Sequence, residues 1–185
     1  MRRPGLPSLV LMTDDDRLPD PLAAVRALPR GSMVVVRARD AKRRAELSRT
    51  TLKLAHRNGL GVLIASDPEL AAQLGADGFH LPEASAKESA YWRARFPNMI
   101  VTSSVHSYRA LMHARALPID ILFLSPVFAT GSHPDRANLT PLRANIIARA
   151  ANKPVYALGG IDAHNAALLT RDAFMGIAAI GALAV

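Results

Sequence analysis

The stretch PVYALGGID, residues 154–162, decides the fold of this chain. Its apolar run ends at two glycines, and an aspartate in N-cap position then opens a helical pattern near Ala163. This order predicts a buried strand, a tight turn and a helix whose free backbone N–H groups can hold an anion. A Gly-Gly pair is common in plain strand-to-helix turns, so the interpretation depends on the rest of the chain.

The same alternation of apolar run, turn and helical pattern recurs from end to end. Eight continuously apolar strands alternating with helices predict an α/β fold, a single-domain (β/α)8 TIM barrel over residues 1–185, in which phosphate binds at the loops after strands seven and eight. The predicted strands are residues 9–12, 33–36, 62–65, 78–81, 99–102, 121–124, 154–158 and 175–180; the predicted helices cover 21–28, 41–58, 69–74, the region around Trp92, 108–116, 141–151 and the segment from 163.

The end of the sequence departs from this alternation. After the eighth strand only residues 181–185 remain, too few for a full outer helix. We therefore expect the last outer helix to be missing or truncated, leaving an apolar strip beside strands eight and one. An exposed apolar strip favours a partner, and the simplest prediction is a homodimer.

Composition limits the classes of function. The chain has 185 residues, of which 50% are hydrophobic, and no cysteine. Disulfides, thiolate zinc sites and cysteine nucleophiles are therefore excluded. No apolar run approaches the roughly 20 residues that span a bilayer, and no signal peptide is recognisable, which predicts a cytoplasmic protein without membrane contact.

The charge balance is strongly basic. A net charge of +8, from 23 Lys and Arg against 15 Asp and Glu, favours anionic partners. No helix-turn-helix, zinc-finger or aromatic RNA-binding signature accompanies it, so we expect a small phosphorylated molecule rather than nucleic acid. The acidic run Asp14-Asp15-Asp16 is interpreted as a solvated loop.

Four motifs carry a resemblance to a known family. They are GFHL at 78–81, SVHS at 104–107, LSPVFAT at 124–130 and PVYALGGI at 154–161, each at the end of a predicted strand. In this order they resemble the thiamine phosphate synthase/TenI family, over about Leu11 to Ile180. The resemblance implies a barrel that either joins a pyrimidine pyrophosphate to thiazole phosphate, giving thiamine phosphate, or aromatises the thiazole precursor as a tautomerase.

The resemblance also implies where substrates bind. The pyrophosphate is expected at Arg37 and Arg39, because an arginine fork suits phosphate oxygens. Arg37 is in addition a catalytic candidate, and Asp67 matches a magnesium carboxylate. Ser104 matches a hydroxyl that contacts the pyrophosphate, and Thr130 and Ser132 match the hydroxyls after strand six. The candidates for the thiazole phosphate are Gly159, Gly160, Ala179 and Ile180.

Several family positions hold other residues here. Val35 stands for the glutamine that reads the pyrimidine, and Ser85 for the second metal carboxylate, with only Glu83 nearby. One carboxylate is a poor magnesium site, so Mg2+ binding is expected to be weak, and no organic cofactor is implied. His133 takes the place of a lysine.

Histidines decide the remaining alternatives. The proton-transfer histidine of the TenI branch falls at Pro126, so His106 and His133 are the candidates for acid-base work. His80 on its strand is interpreted as a hydrogen-bonded structural residue. Three functions stay open: a synthase, a thiazole tautomerase, and a catalytically inactive barrel that binds or senses a phosphorylated ligand.

Overall fold

Eight parallel strands form a closed barrel in chain order, with β1 pairing to β8, as predicted. This computed structural model describes residues 5–129 and 138–180. Most strand residues are apolar, and their side chains form one buried hydrophobic core inside the barrel and under the helices. The strands are β1 (Leu9–Met12), β2 (Met33–Val36), β3 (Gly61–Ala65), β4 (Gly78–Leu81), β5 (Ile100–Val105), β6 (Ile121–Leu124), β7 (Val155–Leu158) and β8 (Gly176–Ala179).

Helices cover the outside of the barrel. Side chains of Asp40, Asp67 and Ser107 accept backbone N–H groups at the starts of three of them, as N-caps should. No helix within 5–129 or 138–180 is long and apolar enough to cross a bilayer. The helices are α1 (Leu22–Ala27), α2 (Ala41–Arg57), α3 (Pro68–Leu74), α4 (Ser89–Arg95, preceded by the 3₁₀ segment Glu83–Glu88), α5 (Tyr108–Ala114) and α6 (Pro141–Arg149).

The predicted helix from Ala163 is wrong. Only a single 3₁₀ turn, Ala166–Leu168, joins β7 to β8. The side chain of Asn145 on α6 donates to the carbonyl oxygen of Leu168 and accepts from the backbone N–H of Thr170. These tertiary bonds use the groups that a longer helix would need for its own ladder.

Two other expectations have different outcomes. Strand β5 runs to Val105 rather than 102, so Ser104 lies within the strand and not in a loop. Residues 181–185 lie outside the described part of the chain, and the truncated last helix therefore remains a prediction.

Candidate active site

A cavity of about 1040 Å³ opens at the carboxyl ends of the strands, the end at which barrels carry their sites. Arg37 and Arg39 line one side of it, after β2. Gly159 and Gly160 line it after β7, and residues 178–180 after β8. The other polar residues that line the same space include His80, Ser104, His106 and Ser125, and the acidic residues Asp14, Asp15 and Asp16 after β1.

Arg37 is fixed by the end of the neighbouring strand. Its Nε donates to the carbonyl oxygen of Thr13 at 3.1 Å, and one Nη lies 2.9 Å from Asp14 Oδ2. The Thr13 hydroxyl donates to the carbonyl oxygen of Arg37 and accepts its backbone N–H. Burial lowers the pKa of Arg37, and the charge of Asp14 opposes that shift. The guanidinium stays charged, since even a lowered arginine pKa lies far above neutral pH.

The acidic run after β1 is paired with arginines. Asp16 is exposed, as expected for a solvated loop, but Asp14 and Asp15 are partly buried. Asp16 lies 2.5 Å from an Nη of Arg39, and Asp15 lies 2.8 Å from Nε of Arg43. Asp15 also accepts the backbone N–H of Arg39, and that hydrogen bond lowers the pKa of Asp15. An anion entering from this side must compete with carboxylates of the chain itself for the arginines.

The glycine turn after β7, formed by Gly159 and Gly160, offers backbone hydrogen-bond donors. Gly159 and Gly160 have φ of +97° and +65°, and a Cβ on Gly160 would lie 2.3 Å from the carbonyl oxygen of Ala129. Asn165 Nδ2 donates to the carbonyl oxygen of Gly160 and holds the turn. Within the described residues, the backbone N–H groups of Gly160 and Ile180 have no protein acceptor. Such a turn beside unpaired N–H groups suits a phosphate.

The two carboxylates considered for magnesium are used elsewhere. Asp67 caps α3 through the N–H of Leu70 and lies 3.4 Å from an Nη of Arg44. Glu83 Oε2 accepts the backbone N–H of His106 at 2.7 Å. Neither side chain lines the cavity, and the described residues include no group of three His, Asp or Glu that could hold a metal ion. This donor set does not fit a magnesium site.

His106 has a defined tautomer. Its Nδ1 lies 2.8 Å from the carbonyl oxygen of Ser125, which can only accept, so Nδ1 carries the hydrogen. In the neutral ring the lone pair then lies on Nε2, for which 5–129 and 138–180 provide no hydrogen-bond partner. This nitrogen is free to accept a proton from a ligand.

Three of the predicted site residues, Thr130, Ser132 and His133, lie outside the described residues.

The sequence analysis did not predict that Asp14 lines the cavity. The position of Asp14 in the sequence indicates this role, because Asp14 and Arg37 follow the ends of adjacent parallel strands and therefore lie at the same rim of the barrel. His80 is hydrogen-bonded within the barrel, as interpreted, but it also reaches the cavity.

His80 should make stability depend on pH. Burial lowers its pKa to about 3, whereas an unfolded histidine titrates near 6.5. Below pH 6.5 the unfolded chain therefore binds a proton that the folded chain does not, and stability falls as pH falls. We expect the free energy of unfolding to drop by about 2 kcal/mol between roughly pH 6.5 and pH 4.5 from this group.

Urea unfolding at several pH values checks this expectation. The matched variant is His80→Gln, which keeps a polar side chain without a group that titrates in this window. The difference between the two proteins isolates His80 from other acids and histidines. Parallel curves for the two proteins would contradict the assignment of a buried neutral imidazole.

The closed parallel barrel, with a polar cavity at the carboxyl ends of its strands, places the chain in the class of (β/α)8-barrel proteins. Within that class it belongs to the thiamine monophosphate synthase family, whose model matches residues 9–183. The family expected from the four motifs is thereby confirmed.

Individual relatives agree with this assignment. A protein of Aquifex aeolicus (strain VF5), provisionally named thiamine-phosphate synthase 2, is 34% identical over 150 residues, which cover 80% of each chain. The thiamine-phosphate synthase of Lysinibacillus sphaericus (strain C3-41) is 31% identical over 142 residues, 75% of this chain and 65% of its own length. The chain thus spans slightly less than two thirds of the second relative.

A solved structure supports the fold. Thiamine phosphate pyrophosphorylase from Pyrococcus furiosus superposes with a TM-score of 0.78 at 23% identity, over 94% of this chain and 85% of the other.

Proposed function

We propose that this chain is a thiamine-phosphate synthase that works with little help from Mg2+. In the reaction, the thiazole nitrogen forms a bond to the methylene carbon of the pyrimidine substrate while the C–O bond to pyrophosphate breaks. The observation that supports the proposal is that one cavity is lined by Arg37 and Arg39 after β2 and by Gly159 and Gly160 after β7, two groups of residues suited to anions. Two phosphorylated substrates need two such sites.

The residues have distinct parts in this proposal. Arg37 and Arg39 hold the pyrophosphate and neutralise its developing charge, with His133 as a further candidate. Gly159, Gly160, Ala179 and Ile180 hold the thiazole phosphate by backbone N–H groups, and Thr130 and Ser132 are further candidates for substrate binding. Asp67 and Glu83 bind Mg2+ at most weakly, since both are used in the protein's own hydrogen bonds.

The assay supplies both substrates to the purified chain and follows thiamine phosphate and pyrophosphate, with a chelator and then with Mg2+. We expect slow product formation, at nearly the same rate with the chelator and with Mg2+. Fast turnover only with Mg2+ would contradict the proposed metal independence, and would leave Glu83 as the ligand to examine. Tight phosphate binding without any product would instead support a binding or regulatory barrel.

A thiazole tautomerase is the second candidate, and the His106 tautomer favours it. Aromatising the ring by tautomerisation moves one proton from a ring carbon to another atom of the same molecule. Nε2 of His106 has a free lone pair at the cavity, so it takes this proton and then returns it at the second atom. General acid-base catalysis by one well-placed histidine accelerates such a step by about 10² to 10⁴.

The variant His106→Asn tests this role. Asparagine keeps an N–H donor for the carbonyl oxygen of Ser125 but lacks the second ring nitrogen. If the chain is a tautomerase, kcat should fall about a hundredfold with KM nearly unchanged. The control is His113→Asn, at an exposed position on α5. An equal loss in both variants would rule out His106 as the base.

We also propose that the chain acts as a cytoplasmic homodimer. Phosphorylated intermediates stay on one side of a membrane because their charge is costly to desolvate. The strip predicted beside β8 and β1 remains one candidate for the interface. A second candidate is the set of large apolar side chains Leu142 and Ile146, one turn apart on α6, and Leu168, which are 73%, 57% and 58% exposed.

Light scattering tests the dimer. The unmodified chain should have the mass of two copies at micromolar concentration, and the double variant Leu142→Asp with Ile146→Asp should have the mass of one, because two charges would have to be buried in the interface. A strictly monomeric unmodified chain would contradict the proposal.

A further inference from the structure

A third arginine, Arg44, lines the cavity beside Arg37 and Arg39 and is more enclosed than either. Its side chain is 14% exposed, whereas those of Arg37 and Arg39 are 36% and 78% exposed. Arg44 lies in the first turn of α2, and one Nη donates to the carbonyl oxygen of Ala38 at 3.0 Å. Ala38 stands between Arg37 and Arg39 in the chain. The guanidinium of Arg44 is therefore fixed next to the two arginines proposed for pyrophosphate.

The protein uses few of the donors of Arg44. A guanidinium carries five N–H groups. Besides the bond to Ala38, the other Nη lies 3.4 Å from Asp67 Oδ2. The Nε of Arg44 is buried and has no hydrogen-bond partner among residues 5–129 and 138–180. Because enclosed donors are nearly always paired with protein, water or a ligand, the remaining N–H groups need acceptors that these residues do not supply.

The counterion of Arg44 is set back from the ligand space. Asp67 uses Oδ1 to accept the backbone N–H of Leu70, and it is not among the described residues that line the cavity. Its 3.4 Å contact with Arg44 is also longer than the 2.9 Å contact between Arg37 and Asp14. An enclosed cation with so loose a partner is poorly compensated. This ion pair therefore presents its positive member to the cavity.

We propose that Arg44 binds the pyrophosphate group of the substrate as a third cation, and that this fixed guanidinium, rather than a metal ion, supplies the positive charge beside Asp67. The oxygens of the two phosphoryl groups can accept bonds from more than one guanidinium at once. Because the charge of Arg44 is part of the chain, the site binds the metal-free anion. The proposal rests on the proposed function in placing a pyrophosphate group beside β2.

Calorimetric titration with inorganic pyrophosphate in chelator tests the role of Arg44. Arg44→Met should lower the affinity about thirtyfold, because charge-assisted hydrogen bonds are lost, and Arg44→Lys about fivefold, because the charge remains without the planar fork. The control is Arg49→Met, at an exposed position of the same helix. Unchanged affinity in Arg44→Met, an equal loss in Arg49→Met, or no pyrophosphate binding in chelator by the unmodified chain would overturn the proposal.

Asp67→Asn separates a built-in cation from a metal site. Asparagine can still accept the backbone N–H of Leu70 and keep the cap of α3, but it no longer competes as an anion for Arg44. We expect this variant to bind pyrophosphate about threefold tighter than the unmodified chain, in chelator and in Mg2+ alike. If Asp67 instead held a metal ion for the ligand, the variant would bind pyrophosphate more weakly in Mg2+, and that result would overturn the proposal.

These titrations need neither heterocyclic substrate, so their outcome is independent of the synthase assay. The expected pyrophosphate affinities without any formation of thiamine phosphate would support the role of Arg44 and contradict only the proposed function.

Discussion

Gly160→Ala is expected to abolish phosphate binding and to destabilise the protein by about 3 kcal/mol. The added Cβ would lie 2.3 Å from the carbonyl oxygen of Ala129 and 2.8 Å from the Cβ of Phe128, at a φ of +65°. The turn must move to relieve these contacts, and its N–H groups then no longer converge on one phosphate. Calorimetric titration with inorganic phosphate, after thermal unfolding has established that the variant is folded, measures the effect.

Gly75→Ala is the matched control. Gly75 ends α3 with a φ of +68°, and its Cβ would meet nothing within 4 Å. The two variants therefore share the backbone strain and differ in the clash. Gly75→Ala should cost about 1 kcal/mol and leave phosphate affinity unchanged. Equal phosphate affinity in Gly160→Ala and the unmodified chain would contradict the placement of the phosphate.

Arg37→Met should lower the affinity for pyrophosphate by about a hundredfold, the loss of two charge-assisted hydrogen bonds. The side chain is held by Thr13 and Asp14, so the guanidinium is already oriented before the ligand arrives. Removing it also leaves the carboxylate of Asp14 with only Arg17, 3.7 Å away, as a paired cation, so Asp14 repels an incoming anion more strongly. Competition titrations with inorganic pyrophosphate measure the change.

Variants of two further arginines serve as comparisons for Arg37→Met. Arg39→Met should cost less, because the Arg39 side chain is 78% exposed and its contacts are screened by water. Arg49→Met, at an exposed position of α2, removes the same charge away from the cavity. If Arg49→Met weakens pyrophosphate binding as much as Arg37→Met, general attraction by the basic chain explains the affinity, and Arg37 has no special role.

The strands could be predicted because their apolar runs are local and uninterrupted. Parallel strands buried on both faces show the same continuous apolar run wherever they lie in a barrel. All eight were therefore predicted, and the predicted and observed strand ends differ by up to three residues. The helix expected after Asp162 failed for a nonlocal reason. Asn145, on a different helix, takes the backbone groups at Leu168 and Thr170, and no pattern within residues 163–170 indicates that.

The position of the candidate site could be predicted from the sequence, but the ion pairs and hydrogen bonds within it could not. The glycine turn and Arg37 reach the cavity because the rim of a barrel collects every strand end. The ion pairs across that rim depend on side-chain conformations. The sequence alone therefore did not reveal that Asp14 pairs with Arg37 and Asp16 with Arg39. Asp67 likewise lies after β3 as expected, but the cap of α3 uses its carboxylate.

The central claim is that this cavity joins two phosphorylated heterocycles without a bound metal. The most direct measurement is single-turnover formation of thiamine phosphate from the pyrimidine pyrophosphate and thiazole phosphate, in chelator and in Mg2+, by the unmodified chain and by Arg37→Met. We predict product from the unmodified chain at similar rates in both buffers, and almost none from the variant. No product from the unmodified chain in either buffer, or product only with Mg2+, would contradict the account.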